Sequence, residues 1–108
     1  MTEKFLGKIT SAEFGTFEER PFLIGLHLIF KIDPYMVNDG GKYCVNISKE
    51  CKWGDDSRVE AITQCVEFVG QILKDANCNY VSELVNKPVE VTIENSTFKD
   101  FRILTEVI

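Results

Sequence analysis

The chain has 108 residues, which is room for one domain (residues 1–108) with a single hydrophobic core. Its composition, 44% hydrophobic and 27% charged, is typical of a globular protein and excludes a mainly disordered chain. Seventeen acidic residues against twelve basic ones give a formal charge of -5. This charge disfavours non-specific binding to nucleic acid or anionic lipid, because the overall field repels phosphate.

The start of the chain and its cysteines indicate a cytoplasmic protein. The first ten residues contain no continuous apolar stretch and no cleavage site of small residues, so no secretory signal is predicted. In the cytoplasm the cysteines would stay reduced. No two of them form a Cys-x-x-Cys pair, so we expect no metal site, no disulfide and no cofactor. They are Cys44, Cys51, Cys65 and Cys78.

The first two predicted strands form an antiparallel pair. In the second, from Phe22 to Ile32, every other residue is large and apolar, which predicts a strand with one buried face. It is too short and too interrupted by polar residues to cross a bilayer, so no membrane is expected as a partner. The first strand, within residues 4–17, changes the parity of its apolar positions, which predicts a β-bulge near Thr10 or Ser11. Phe17, in the connection, is interpreted either as a lid over the end of the barrel or as an exposed contact.

Residues 38–41, Asn-Asp-Gly-Gly, give the strongest turn signal in the chain. The flanking residues 35–37 and 42–47 are predicted to be either the two arms of a hairpin or a loop that leads into a third strand.

The most suggestive segment for function follows this turn. Lys49, Lys52 and Arg58 surround Trp53, and Tyr43 is close in sequence. An aromatic ring among cations is suited to stacking on a base or nucleotide while the cations pair with its phosphates. The alternative is that Trp53 fills the core at the start of the helix while the charges are solvated.

One main helix is predicted over about residues 57–76. Ser57 and Glu60 have the spacing of a capping box, and apolar residues then recur in steps of three and four. A second apolar stripe runs beside the first, and it is expected either to contact another subunit or to lie deep in the core. The first stripe is Val59, Ile62, Val66, Val69, Leu73 and Ala76, and the second is Ala61, Cys65, Phe68 and Ile72.

A hairpin is predicted after the helix. Val81, Leu84 and Val85 are expected to hold the connection against the core, and Pro88 to begin a strand. Asn95 and Ser96 are predicted to form the turn into a last strand that runs to the end of the chain. The residues of that strand expected on one face are Phe101, Ile103, Thr105 and Val107.

The order of elements is therefore β-β-β-α-β-β. This order predicts an α+β fold, either a five-stranded antiparallel sheet or a partly open OB-like barrel. Catalysis is not predicted: the single histidine, His27, lies in mid-strand without an evident partner, and no phosphate-binding loop occurs. The two adjacent carboxylate pairs, Glu18–Glu19 and Asp55–Asp56, are attributed to a turn and to the start of the helix. We therefore expect no catalytic residues and a protein that acts by binding.

Four segments resemble a family of small uncharacterised proteins of about this length from tailed phages and prophages. They are GKITSAEFG, LIGLHLIF, ECKWGDDSR and the last 25 residues, LVNKPVEVTIENSTFKDFRILTEVI. The resemblance implies a phage origin and a small accessory protein of the host cytoplasm. It departs from the family where Asn86 replaces the usual Gly and where TFEERP replaces a glycine-rich connection.

Two functional hypotheses follow. The first is a non-enzymatic accessory protein that blocks or sequesters a host component, such as a defence-system effector or a nucleotide signal. The alternative is an OB-like protein that binds single-stranded DNA during phage recombination or replication, through Tyr43, Lys49, Lys52, Trp53 and Arg58. Homo-oligomerisation through the helix is compatible with either.

Overall fold

A computed structural model describes residues 1–48 and 54–107 of the chain. Within these ranges there are six strands, one α-helix and two short 3-10 turns. The elements are β1 (Thr2–Thr16), β2 (Leu23–Lys31), β3 (Met36–Asn38), β4 (Cys44–Asn46), α1 (Gly54–Asp75), β5 (Pro88–Glu94) and β6 (Thr97–Ile103), with 3-10 turns at Val81–Leu84 and Thr105–Val107.

The strands form one antiparallel sheet in the order β3-β2-β1-β5-β6, and β4 pairs with β2 as well. The sheet is not closed into a barrel. The predicted α+β fold is confirmed, and of the two predicted architectures the open sheet is the one that forms. It has six strands because residues 36–38 form a short strand of their own before the one within residues 42–47.

β1 is the longest strand and organises the sheet. Its first half pairs with β5 and its second half with β2. The register with β2 shifts between Ile9 and Ser11, which confirms the predicted bulge. The bulge lets β1 change direction between its two partners.

β3 and β4 lie one after the other along the same edge of β2. β3 pairs with Ile29 to Lys31 and β4 with Leu23 to Gly25, so the two do not form a hairpin with each other. Gly25 pairs with Cys44, and Ile29 pairs with Asn38. The two residues on β2 are four positions apart in the sequence, whereas their partners are six positions apart. Two extra residues therefore bulge out between β3 and β4.

Asp39 fills the gap that this insertion leaves. Its backbone N–H donates to the Leu28 carbonyl (3.2 Å), and its Oδ2 accepts the Leu28 N–H (3.0 Å). Oδ1 accepts the N–H of Gly41 (3.1 Å). The carboxylate thus replaces the missing backbone acceptor of the ladder, and its side chain is buried, with the residue 6% exposed.

The core lies on the face of the sheet that carries the alternating residues of β2. It also contains residues of α1 and of the 3-10 turn before β5, including Leu84. Val85 is more exposed than predicted, at 38%. The buried residues are Ile9, Ala12, Leu26, Leu28, Phe30, Ile32, Ile72, Ala76, Leu84, Val89, Val91, Phe101 and Ile103.

The predicted start of the helix and the predicted end of the last strand need correction. α1 begins at Gly54, so Ser57 lies inside the first turn and the predicted capping box does not start the helix. β6 ends at Ile103, and Thr105 and Val107 belong to an exposed 3-10 turn. The last strand stops there because its partner, β5, begins at Pro88. The carbonyl of Pro88 accepts the N–H of Leu104, and the described part of the chain supplies no strand residue before Pro88 that could continue this pairing.

The turn between β5 and β6 is as predicted. Asn95 (φ 52°) and Ser96 (φ 64°) are both in the left-handed region, which two-residue hairpin turns of this kind require. Asn86 is also left-handed (φ 74°), a conformation that asparagine tolerates better than most residues.

Replacing Asp39 with Ala is expected to destabilise the fold strongly. The Asp39→Ala variant leaves the buried N–H of Leu28 without its acceptor, which costs about 2 kcal/mol in the free energy of unfolding. Urea denaturation measures this. The matched control is Asn38→Ala, which removes only an exposed turn bond to the N–H of Gly40 and is expected to cost less than about 0.5 kcal/mol. Equal stability of the two variants would contradict the role assigned to Asp39.

Candidate functional site

The sequence-predicted binding residues fall in two places. Lys49, Lys52 and Trp53 lie outside the described residues. Tyr43 lies directly before β4, and Arg58 is a half-buried residue in the early part of α1. The structure therefore locates two of the five residues.

The ring of Tyr43 is partly buried and packs against the hydrophobic core. It stacks on Phe68 of α1 with 4.6 Å between ring centroids, and its edges contact Phe98 and Phe101 of β6. Burial raises the pKa of the Tyr43 hydroxyl far above its ordinary value, and the nearby charges of Asp100 and Asp39 add to the effect. Tyr43 thus joins β4, α1 and β6, and the ring face against Phe68 is not available to stack on a base.

The two outer edges of the sheet approach each other, because contacts of Tyr43 with β6 require the sheet to curl around the core. Lys42 bridges the two edges. Its ammonium donates a hydrogen bond to the carbonyl of Lys99 and lies 5.8 Å from the centroid of the Phe98 ring. Beside this bridge the edges diverge and leave an open cleft of about 920 Å³.

We call this space the edge cleft. One wall is β3 with the turn that follows it, and the other is the β5–β6 hairpin. Its apolar lining comes from Met36, Val37 and Phe98. Its polar lining comes from Asn38, Asp39, Gly40, Lys42, Glu94, Asn95, Ser96, Thr97 and Lys99.

The β3 wall presents unpaired backbone groups to the edge cleft. Hydrogen bonds join Asp39 to Leu28 and Ile32 to Tyr35 at the two ends of the β2–β3 ladder. Since bonded pairs alternate in an antiparallel ladder, Val37 bonds to β2 while the N–H and C=O groups of Met36 and Asn38 point away from it. Within the described part of the chain no group bonds to these four.

The β6 wall is protected by side chains of the chain itself. The carbonyl of Lys99 accepts the hydrogen bond from Lys42, and the N–H of Phe101 donates to Oδ1 of Asp100 (2.7 Å). Charged residues on an edge strand discourage further pairing. The edge cleft therefore has an open strand edge on β3. On the opposite strand, β6, two backbone groups are already bonded by side chains, the carbonyl of Lys99 and the N–H of Phe101.

Charges in the edge cleft are balanced. Nζ of Lys99 lies 2.8 Å from Oε2 of Glu94, and this hydrogen bond and charge lower the pKa of the Glu94 carboxyl. Lys42 is matched in the lining by Asp39. The site has no excess of positive charge for a phosphate.

A second cleft, of about 510 Å³, is lined in part by Phe17 and His27. His27 also makes a contact with a cysteine that the sequence did not reveal. Sγ of Cys44 lies 3.9 Å from Nε2 of His27. The same Nε2 lies 3.0 Å from the carbonyl of Gly15. Because a carbonyl only accepts, Nε2 carries the proton, and this nitrogen is not a base for the thiol. The ring of Phe17 contacts the imidazole of His27 edge to face, with 4.5 Å between the ring centroids. Since the sheet is not closed into a barrel, there is no barrel end for Phe17 to cover.

The environment of Cys44 disfavours the thiolate form of its side chain. Burial raises its pKa from an ordinary 9.0 to about 11, and the charge of Asp39 adds to the shift. A nucleophilic cysteine requires the opposite shift, toward the thiolate.

Two further features of the described residues bear on function. No group of three or more His, Cys, Asp or Glu side chains within residues 1–48 and 54–107 is arranged to hold a metal ion. No helix in those ranges is long and apolar enough to cross a membrane.

No protein-family model, curated protein or solved structure matches the chain. Its function is therefore inferred from the site itself.

Sequence reasoning missed the edge cleft because its walls come from residues 36–42 and 94–99, which no motif connects. The available signals were indirect: a Gly-rich turn beside Lys42 and an aromatic, Phe98, one residue after the start of the last strand. Only the curl of the sheet brings them together.

Cys44 is expected to resist alkylation in the folded protein. At pH 8 the raised pKa lowers the thiolate fraction about 100-fold relative to a thiol of pKa 9.0. Iodoacetamide labelling followed by peptide mass spectrometry measures the rate at Cys44, with the urea-unfolded chain as the reference. A native rate close to the unfolded one would show that the thiol is not suppressed and would contradict the raised pKa of Cys44.

Proposed function

We propose that this chain acts by binding a host component, and that the edge cleft is the binding site. The observation that carries the proposal is the open edge of β3, whose unpaired backbone groups face Phe98 and Lys42 across the cleft. An extended peptide entering the cleft would add to β3 as a further strand and rest its side chains on Phe98 and Val37. Strand addition of this kind gives affinity through the backbone and specificity through alternate side chains.

The proposed ligand is an extended segment of a host protein, which the chain would block by holding it. The balanced charges of the cleft favour a peptide over a nucleotide signal, since a nucleotide requires a positive field at its phosphates. The resemblance to phage and prophage proteins supports a host target and the host cytoplasm as the place of action.

A non-catalytic role is part of the proposal. It is supported by the proton on Nε2 of His27, which prevents this nitrogen from acting as a base for Cys44, and by the raised pKa of the Cys44 thiol. Blocking a defence-system effector would require binding alone.

The single-stranded DNA alternative depends on Trp53, Lys49 and Lys52, which lie outside the described residues. The net charge of -5 and the packed ring of Tyr43 give it less support than the edge cleft gives to peptide binding.

Blocking the edge of β3 is expected to abolish partner binding. Met36 is the first residue of β3, where proline is tolerated, and the Met36→Pro variant removes an N–H that points into the cleft. The matched control, Met36→Thr, keeps that N–H. Affinity capture from bacterial lysate with quantitative mass spectrometry compares the two with the unmodified chain.

We expect a host protein that is retained by the unmodified chain and by Met36→Thr and is recovered at least tenfold less with Met36→Pro. Equal recovery by the proline variant would place binding elsewhere. Failure to retain any specific protein would contradict the proposal itself.

Nucleic acid and nucleotides are expected not to bind. The fluorescence of Trp53, the only tryptophan, is titrated at low salt with oligo(dT) and with linear and cyclic nucleotides. No saturable change is expected. Quenching by oligo(dT) that disappears with added salt would favour the single-stranded DNA alternative, and quenching by one nucleotide would favour sequestration of a signal.

A further inference from the structure

Two lysines lie directly opposite each other on the face of the sheet that points away from the core. Lys8 of β1 and Lys31 of β2 are partners in the antiparallel ladder, and both are exposed. Their neighbours Ile9 and Phe30 are fully buried, so the two lysines point to the other face. Like charges at directly opposed positions destabilise an antiparallel pair. Folding alone therefore gives no reason for two cations at this place.

The charge of this lysine pair is only partly offset. Within residues 1–48 and 54–107, no carboxylate lies within ion-pair distance of Lys8 or Lys31. Lys99 of β6, by contrast, has Glu94 at 2.8 Å. Asp33 lines the same shallow depression as the two lysines, of about 340 Å³, and offsets one of their charges. One unit of positive charge therefore remains.

The lysine pair lies beside the open edge of β3. Lys31 pairs with Met36, which is 58% exposed, so Lys8, Lys31 and Met36 form one row across three neighbouring strands. A peptide that adds to β3 would extend this row by one position. Because neighbouring strands are about 4.8 Å apart, its residue opposite Met36 comes about 10 Å from Lys31, backbone to backbone. A lysine and a carboxylate side chain together span that distance.

Repulsion within the lysine pair favours conformers of Lys31 that point away from Lys8 and toward the edge of β3. Lys31 is thus the residue that would contact the peptide, and Lys8 is a positioning residue that acts through it.

The other outward position of the peptide has different surroundings. It lies two residues along the peptide, opposite Asn38 at the end of β3. There the second cleft carries Glu13 and Glu19 together with Arg20. The positive field is therefore confined to the end of β3 at Met36, and an acidic side chain is favoured at that end alone.

We propose that the host segment bound on β3 carries an acidic side chain opposite Met36, where it pairs with Lys31. The next residue of the segment faces the other way and is apolar, since it rests on Val37 and Phe98. The residue after that is not acidic. One carboxylate matches the one unit of charge that the lysine pair leaves unbalanced. This inference rests on the proposed strand addition and specifies its ligand.

Selection from a display library of random linear peptides tests the preference. The unmodified chain is expected to enrich peptides in which an acidic residue adjoins an apolar one, and Met36→Pro is expected not to retain them. With Lys31→Glu, a basic residue is expected to replace the acidic one. The matched control is Lys74→Glu, which makes the same charge change at an exposed position in the last turn of α1 and leaves the acidic preference unchanged.

The affinity of one enriched peptide measures the contact itself. Fluorescence anisotropy of the labelled peptide is expected to show binding about fivefold weaker with Lys31→Glu, because an attraction becomes a repulsion. Replacing the acidic residue of the peptide with lysine restores its affinity for that variant. Lys31→Glu also removes the repulsion from Lys8, so its midpoint of urea denaturation is not lower than that of the unmodified chain.

The outcomes separate this inference from the proposed function. Enriched peptides that require the edge of β3 but show no acidic preference, or a preference that Lys31→Glu leaves unchanged, would overturn the inference and leave strand addition in place. If no peptide is enriched, or if Met36→Pro binds the enriched peptides equally well, strand addition on β3 is wrong and the inference is wrong with it.

Discussion

The buried carboxylate of Asp39 is the interaction on which the edge of this sheet depends. A two-residue insertion between β3 and β4 would leave the N–H of Leu28 buried without an acceptor, and Asp39 supplies that acceptor from its side chain. A hydrogen bond to a charged group is stronger than one between neutral groups, which offsets part of the cost of burying the charge. Burial raises the pKa of Tyr43 and of Cys44, and the charge of Asp39 adds to both shifts. One side chain thus completes the ladder and suppresses the nearby thiol.

The position of Asp39 also explains where the candidate site lies. By holding β3 and the following turn against β2, it places Lys42 where it reaches the carbonyl of Lys99 on the opposite edge. The curled sheet is bridged at that point and open beside it. There the β3 wall, with its free backbone groups and the side chains of Met36 and Val37, faces the β5–β6 hairpin, which carries Phe98. This arrangement suits an extended peptide better than a phosphate. No described residue of α1 lines this cleft.

Local signals in the sequence were sufficient for most of the fold. Strict alternation predicted β2, a change of parity predicted the bulge in β1, and two residues tolerant of left-handed conformations predicted the turn at Asn95. The errors occurred where tertiary context decides: β6 stops at Ile103 because its partner strand begins at Pro88. The site was harder, because proximity in sequence grouped Tyr43 with Trp53, whereas folding turns Tyr43 inward. No pattern in the sequence joins the two walls of the edge cleft.

The most direct test of this account is the rate of hydrogen exchange at the amide of Leu28, measured by NMR in the native protein. Its only described acceptor is the Asp39 side chain, whereas Phe30, two residues along β2, pairs with the backbone of Val37. The account predicts that Leu28 exchanges as slowly as Phe30, within about tenfold, because both are protected until the edge opens. Exchange at Leu28 as fast as at Gly40, whose amide bonds only to an exposed side chain, would show that Asp39 does not hold the strand edge.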